Sequence, residues 1–360
     1  MDRIKNGRTG GRPAYIIAII ALLGGLVFSI LLAVMFGSVR ISFQDVYGVI
    51  VHKIFGIGDA AAYGKGVIHD VVWFIRLPRL ILAISVGMGL SVCGVIMQAV
   101  VQNPLAEPYT LGISSGASLG ATVAILLGVG AALGKNYVGI VAFLGAFGIS
   151  LAVVALANIG GRATSVKLLL SGMALSAICS SFSSFVVYLA RSRDREGIET
   201  VTYWMMGSLA GANWKNLAII FPIVLIASVF FLTQYRTLNL MLLGDEVSIT
   251  LGKNLQRWRQ LYLLVSAAIV GFVVFSAGII GFVGLIVPHV VRMLFGTDHK
   301  KLIPIAALLG SIFLVWADVL CRVLLRGMEL PIGILTSMIG APCFIYLIIK
   351  RKYGFGGGRQ

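Results

Sequence analysis

The chain has 360 residues, 59% of them hydrophobic and only 12% charged, with a mean hydropathy of +0.99; soluble domains carry about 25% charged residues. That much apolar surface cannot be hidden in one or two soluble cores, which excludes a water-soluble monomer and leaves an all-α polytopic membrane protein. The formal net charge of +16 would suggest nucleic acid in a soluble protein, but here it is tested first as a signal of orientation.

About 20 apolar residues cross a bilayer core as a helix. In chain order, apolar runs bounded by charges or by Gly and Pro predict spans at Ala14 to Phe36, Leu80 to Val101, Leu111 to Leu133, Tyr137 to Ile159 and Leu168 to Ala190. They continue at Leu217 to Leu232, Leu261 to Phe275, Ile279 to Leu294, Leu302 to Leu320 and Ile332 to Ile349. The sum is about ten helices, with the weakest division around Ser276 to Gly281. The first run exceeds the roughly 7–15 residue core of a signal peptide and lacks a convincing cleavage site, so a retained first helix is expected. Residues 1–13 and 350–360 then read as tails on a single transmembrane domain spanning 14–349.

Ten crossings place both termini on one side. That side takes Arg3, Lys5, Arg8 and Arg12, then Arg162 and Lys167, then Arg236, Lys253, Arg257 and Arg259. It also takes Arg292, Lys300 and Lys301, and finally Lys350, Arg351, Lys352 and Arg359. The opposite side receives fewer basic and more acidic residues, so the positive-inside rule puts both termini in the cytoplasm. No nucleic-acid partner is needed to explain the charge. Arg76, Arg79 and Arg322 fall at or beside spans on the outer side, where the rule disfavours them. Membrane-edge charges are either functional or snorkel to the interface.

Chemistry is mostly absent. Cys93, Cys179, Cys321 and Cys343 have no C-x-x-C spacing and read as buried thiols, and His52, His69, His289 and His299 do not cluster with carboxylates at ligand spacing, so no metal site is expected. The pairs Gly64-Lys65, Gly134-Lys135 and Gly252-Lys253 are followed by Gly, Asn and Asn rather than Ser or Thr. The chain therefore has no phosphate-binding loop and no ATPase of its own. Asp318 is the main carboxylate within a long apolar run, and with Arg322 at i+4 it reads as a local ion pair. A gradient-driven secondary transporter, which usually needs intramembrane carboxylates or broken helices, is the alternative reading.

Gly112, Gly116 and Gly120 repeat every four residues, a stripe that lets membrane helices approach closely. In Ser171 to Tyr188, Ser176, Ser180 and Ser184 form an i, i+4, i+8 stripe with Cys179 and Ser183 beside it. Such hydroxyls either pack across helices or line a path for a large polar solute.

Several motifs converge. FIRLPR spans Phe74 to Arg79, MQAVVQNPLAEPYTLGISSG spans Met97 to Gly116, and LGDEVSITLG spans Leu243 to Gly252. GIIGFVGLIVPHVVR at Gly278 to Arg292 precedes GTDHK, and ADVLCR at Ala317 to Arg322 precedes ELPIGILTSMIGAPCFIYLI at Glu329 to Ile348. In this order, over nearly the whole chain after its first helix, the sequence resembles the permease subunits of type II ABC importers for iron-siderophores, haem and cobalamin.

The resemblance implies a ten-helix permease in a prokaryotic cytoplasmic membrane, surrounded by membrane lipid and paired as a homodimer or with a close relative. Two cytoplasmic ATPase subunits would bind ATP and Mg²⁺, leaving this chain without a cofactor, and an extracytoplasmic substrate-binding protein would deliver the ligand. Arg76, Arg79 and Arg322 match positions at which the family receives acidic residues of that protein, a pairing suited to guanidinium. Gly244, Asp245, Glu246, Val247 and Gly252, in a loop at about 241–258, match the family's ATPase-coupling helices. The translocation path would follow Ser176, Cys179, Ser180, Ser183 and Ser184, and Thr164 and Ser165 lie where the family has its inner gate. Pro104 and Pro108 bar regular helix, so Asn103 to Pro108 is expected to be a broken connection.

Overall fold

The computed structural model describes residues 12–37, 41–159, 161, 163–325 and 327–350. Most of both expected tails and Arg162 lie outside the described residues. Ten helices match the ten apolar runs: α1 (Arg12–Met35), α2 (Leu77–Val101), α3 (Ile113–Leu127), α4 (Tyr137–Asn158), α5 (Ser165–Ala190), α6 (Trp214–Thr233), α7 (Gln256–Ala277), α8 (Val283–Phe295), α9 (His299–Val323) and α10 (Ile332–Lys350). Seven are long and apolar enough to cross a membrane, while the apolar parts of α3, α8 and α10 are shorter.

Two boundaries differ from the sequence expectation for a backbone reason. Gly112 (φ 84°) and Gly128 (φ 68°) both adopt left-handed conformations, the first capping the start of α3 and the second ending it well short of Leu133. Gly112 is thus a cap rather than a member of the helical glycine stripe. Similarly, Gly278 and Phe282 (both φ 68°) break the chain after α7, so α8 starts at Val283 rather than Ile279.

Helix α2 is the centre of the bundle: nearly every residue from Pro78 to Val101 is buried, against α9, α7, α6 and α8. Glycines make this possible. A Cβ on Gly94 would overlap the backbone of Gly284 in α8, and one on Gly310 would overlap Gly87 O and the Ser91 side chain. Gly116 and Gly145 meet in the same way between α3 and α4. These contacts replace the hydrophobic drive that lipid cannot supply.

Helix α1 runs parallel to α9, since Gly25 lies beside Ile312 and the Trp316 indole donates to Ser29 Oγ at 3.0 Å. Helix α2 runs antiparallel to α9, with Ser311 Oγ donating to Ile84 O at 3.1 Å. The bundle therefore has a near face, where α1 begins, and a far face, where α1 ends.

Candidate functional site

At the far face, Arg76 closes a wide turn (Val71–Arg76) in which Leu77 N bonds to Val72 O, five residues back. Pro78 has no N–H to continue that pattern. The carbonyl it would have met, Trp73 O, instead accepts from the Trp214 indole at 2.8 Å. This re-phasing aims both arginines of the FIRLPR motif into one cluster with the ends of α1 and α9. Arg76 Nη1 donates to Val34 O (2.7 Å) and Met35 O (3.0 Å), with Gly37 packed against its guanidinium. Arg79 Nε donates to Asp318 Oδ1 and its Nη1 to Glu329 Oε2, each at 2.8 Å. Arg322 Nη1 donates to Phe36 O at 2.7 Å, and its Nε lies 3.1 Å from Asp318 Oδ2.

All three arginines that broke the charge rule are therefore neighbours. Each is less than a tenth exposed, and Asp318 is fully buried. Among the described residues, three guanidinium groups and two carboxylates make up the cluster, an excess of one positive charge in that set. The cluster opens beside a cavity of about 210 Å³ lined by Arg79, Tyr203, Ser208, Glu329 and Pro331. The Glu329 side chain is 49% exposed, so it forms the edge of the site. Periodicity gives no sign of Glu329 as a partner; the one signal is that three outer arginines have a single local carboxylate, Asp318.

At the near face, Gly244 (φ 92°) turns the chain into a short helix, Asp245–Thr250. Asp245 and Glu246 occupy its first turn, but their side chains lie outside the described residues. Gly252 (φ 74°) ends it, with Lys253 N bonding back to Ser248 O. Ser248 is buried and its Oγ donates to Gly244 O at 2.8 Å, which fixes the turn to the helix. Leu243, Val247, Ile249 and Leu251 are all exposed. A short connecting helix with an exposed apolar surface is suited to a partner protein.

Along α5, Ser180 and Ser184 are exposed, Ser176 and Ser183 are half-buried, and Cys179 is buried. Cys179 thus packs inside the bundle, off the face that the serines share. Ser183 and Ser184 line a cavity of about 410 Å³ with Ser118, Thr122, Tyr188 and Arg191. Most of the surface of α5 has no neighbour within the chain. Thr164 is the N-cap of α5, accepting from Lys167 N at 3.3 Å, and Ser165 is the helix's first residue. That geometry gives Thr164 a capping role.

The broken connection at Asn103 to Pro108 carries a further residue that periodicity missed. Glu107 Oε1 accepts from Phe282 N at 2.7 Å, bracing the non-helical link between α7 and α8. Tyr109 Oη accepts from Ile280 N at 3.4 Å in the same link.

Comparison with known proteins places the chain in a family. The profile of the FecCD transport family matches residues 25–350. The chain is 40% identical over 292 residues to the hemin transport system permease protein HmuU of Yersinia pestis, covering 79% of this chain and 86% of that protein. It is also 40% identical over 282 residues to the cobalamin import system permease protein BtuC of Halobacterium salinarum, covering 78% and 74%. Among solved structures, one described as an ABC transporter of metal-chelate type in an inward-facing conformation superposes with a TM-score of 0.78 at 31% identity. That match covers 92% of this chain and 99% of the other.

Proposed function

The chain belongs to the FecCD transport family, and from that premise we propose that it is the membrane permease of a binding-protein-dependent ABC importer for a metal chelate. An iron(III)-siderophore, haem or cobalamin fits the class, and the binding protein selects among them. The observation that carries the reading is the family match over nearly the whole chain, in a bundle of ten apolar helices. The chain is a multi-pass protein of the prokaryotic cytoplasmic membrane, with its near face assigned to the cytoplasm by the excess of basic residues there.

Each face has its own work. At the far face, Arg76, Arg79 and Arg322 receive acidic residues of the binding protein, because the cluster holds more guanidinium than carboxylate. At the near face, the Asp245–Thr250 helix seats in a groove of the ATPase, which alone binds ATP and Mg²⁺. Movement of that groove tilts the permease helices as rigid bodies. The open surface of α5 faces a second permease subunit, and the stripe of Ser176, Ser180 and Ser184 lines the path between them. A polar stripe that commits to no single ligand suits a path which the cargo must enter and leave.

Reconstitution with the cognate ATPase and binding protein tests the reading. Vanadate-sensitive uptake of the chelate that the binding protein retains is expected. Uptake that tracks a proton or sodium gradient and ignores ATP would replace the reading with a gradient-driven carrier.

A further inference from the structure

We propose that α2 and α9 form a two-helix strut that joins the far-face arginine cluster to the coupling segment, with Asn239 and Gln102 as the positioning residues that fasten its near end. The inference rests on the permease reading above.

Both helices are 25 residues long, or about 37 Å at 1.5 Å per residue. At the far face they are joined by Arg79 Nε and Asp318 Oδ1, at 2.8 Å. Midway, Gly310 packs against Gly87 and Ser91 with no room for a Cβ on either glycine, and Ser311 Oγ donates to Ile84 O. A seam packed this closely transmits displacement because it has no void in which to absorb it.

The near ends converge on one short helix, Tyr235–Met241. From α2, the Gln102 side chain donates through Nε2 to Met241 O at 2.9 Å. From α9, the backbone N–H of His299 donates to Asn239 Oδ1 at 2.9 Å, and its Nδ1 lies 2.7 Å from the same oxygen. An amide oxygen can only accept, so the His299 Nδ1 carries hydrogen. Asn239 in turn donates through Nδ2 to Asp298 Oδ1 at 2.9 Å, the oxygen that also caps Lys300 N. Ser248 of the coupling helix reaches back to Leu240 O at 3.2 Å. The coupling helix, Tyr235–Met241 and both strut ends are thus tied in sequence, and the other strut ends lie in the arginine cluster.

The test uses the full chain assembled with its ATPase and reads basal hydrolysis, hydrolysis stimulated by the binding protein, and co-purification of the ATPase. Asn239→Leu removes the acceptor for His299 and the donor for Asp298. Stimulation is expected to fall at least fivefold, with basal hydrolysis and co-purification within twofold of wild type. Asn239→Asp combined with Asp298→Asn rebuilds the network, since the new carboxylate accepts from His299 and the new amide donates to it while still capping α9. At least half of the stimulation should return. Full stimulation in Asn239→Leu, or no recovery in the rebuilt pair, would overturn the strut. If Asn239→Leu does not assemble, Gln102→Leu probes the α2 end, where unchanged stimulation also overturns it. A wild-type assembly that the binding protein cannot stimulate would instead sink the permease reading, a result visible before any variant is compared.

Discussion

Arg79 and Asp318 meet at 2.8 Å across the seam between α2 and α9, with Asp318 fully buried and ion-paired with Arg322 as well, at 3.1 Å. One carboxylate thereby holds two guanidinium groups, one from its own helix at i+4 and one from a helix 239 residues away in sequence. Glu329 lies at the edge of the cluster and is the one member open to solvent among these five charged residues.

Replacing Asp318 with Asn should be strongly destabilising, because it leaves two buried cations facing one half-exposed carboxylate. Breaking a buried pair from one side costs about 3–5 kcal/mol. A large fall in melting temperature in detergent is expected. A second substitution, Arg322→Met, should recover part of it, because removing the orphaned charge is less harmful than leaving it. A melt unchanged by Asp318→Asn would show that the cluster carries no such strain.

Glu329→Gln should act in the other direction on docking. Its carboxylate occupies Arg79 Nη1, the bond that an incoming acidic residue would compete for. A half-exposed ion pair is worth roughly 0.2–1 kcal/mol, so binding-protein affinity should rise by up to about fivefold, with little change in stability. Surface plasmon resonance on the permease in nanodiscs measures this directly. Weaker docking would mean that Glu329 contributes to the binding surface rather than competing for it.

The ten apolar runs each hold a helix and were legible from composition, although only seven of those helices are long and apolar enough to cross a membrane; Arg76, Arg79 and Arg322 were legible because they broke the charge rule. What the sequence concealed was pairing across distance. Nothing local to Glu329 or Glu107 announces a partner, since one meets Arg79 from the loop before α10 and the other meets a backbone N–H in the link between α7 and α8. Gly112 shows the limit of periodicity: its spacing fits a helical stripe, but its left-handed backbone makes it a cap. Cys179 sits beside the serine stripe in sequence, yet its side chain is buried, because one helical step of 100° turns it into the bundle.

Glu107→Ala should loosen the link between α7 and α8. The N–H of Phe282 would lose its acceptor in a buried setting, a loss of about 1–3 kcal/mol. Phe282 is also held at φ 68° with its ring against Gly340, a conformation that only its surroundings sustain. Glu107→Gln keeps an oxygen in place and should retain most of the stability that Ala loses. Thermal melts of the two variants side by side separate them. Equal losses would mean that the charge of Glu107, rather than its acceptor oxygen, matters.

The near-face helix offers the most direct test of coupling. Val247, Ile249 and Leu251 are exposed at 44%, 52% and 58% on a segment whose buried anchor is Ser248. Exposed positions of this kind contribute within about 0.5 kcal/mol to stability, so Val247→Asp with Ile249→Asp should leave the melting temperature nearly unchanged. If the helix seats in an ATPase groove, each buried aliphatic side chain there contributes about 1.5–3 kcal/mol. Every 1.4 kcal/mol is tenfold in affinity, so a loss of at least tenfold in ATPase co-purification is expected. Wild-type recovery of the ATPase by this double variant would remove the coupling role from Asp245–Thr250. An equal loss of ATPase and of melting temperature would make the surface part of the fold instead.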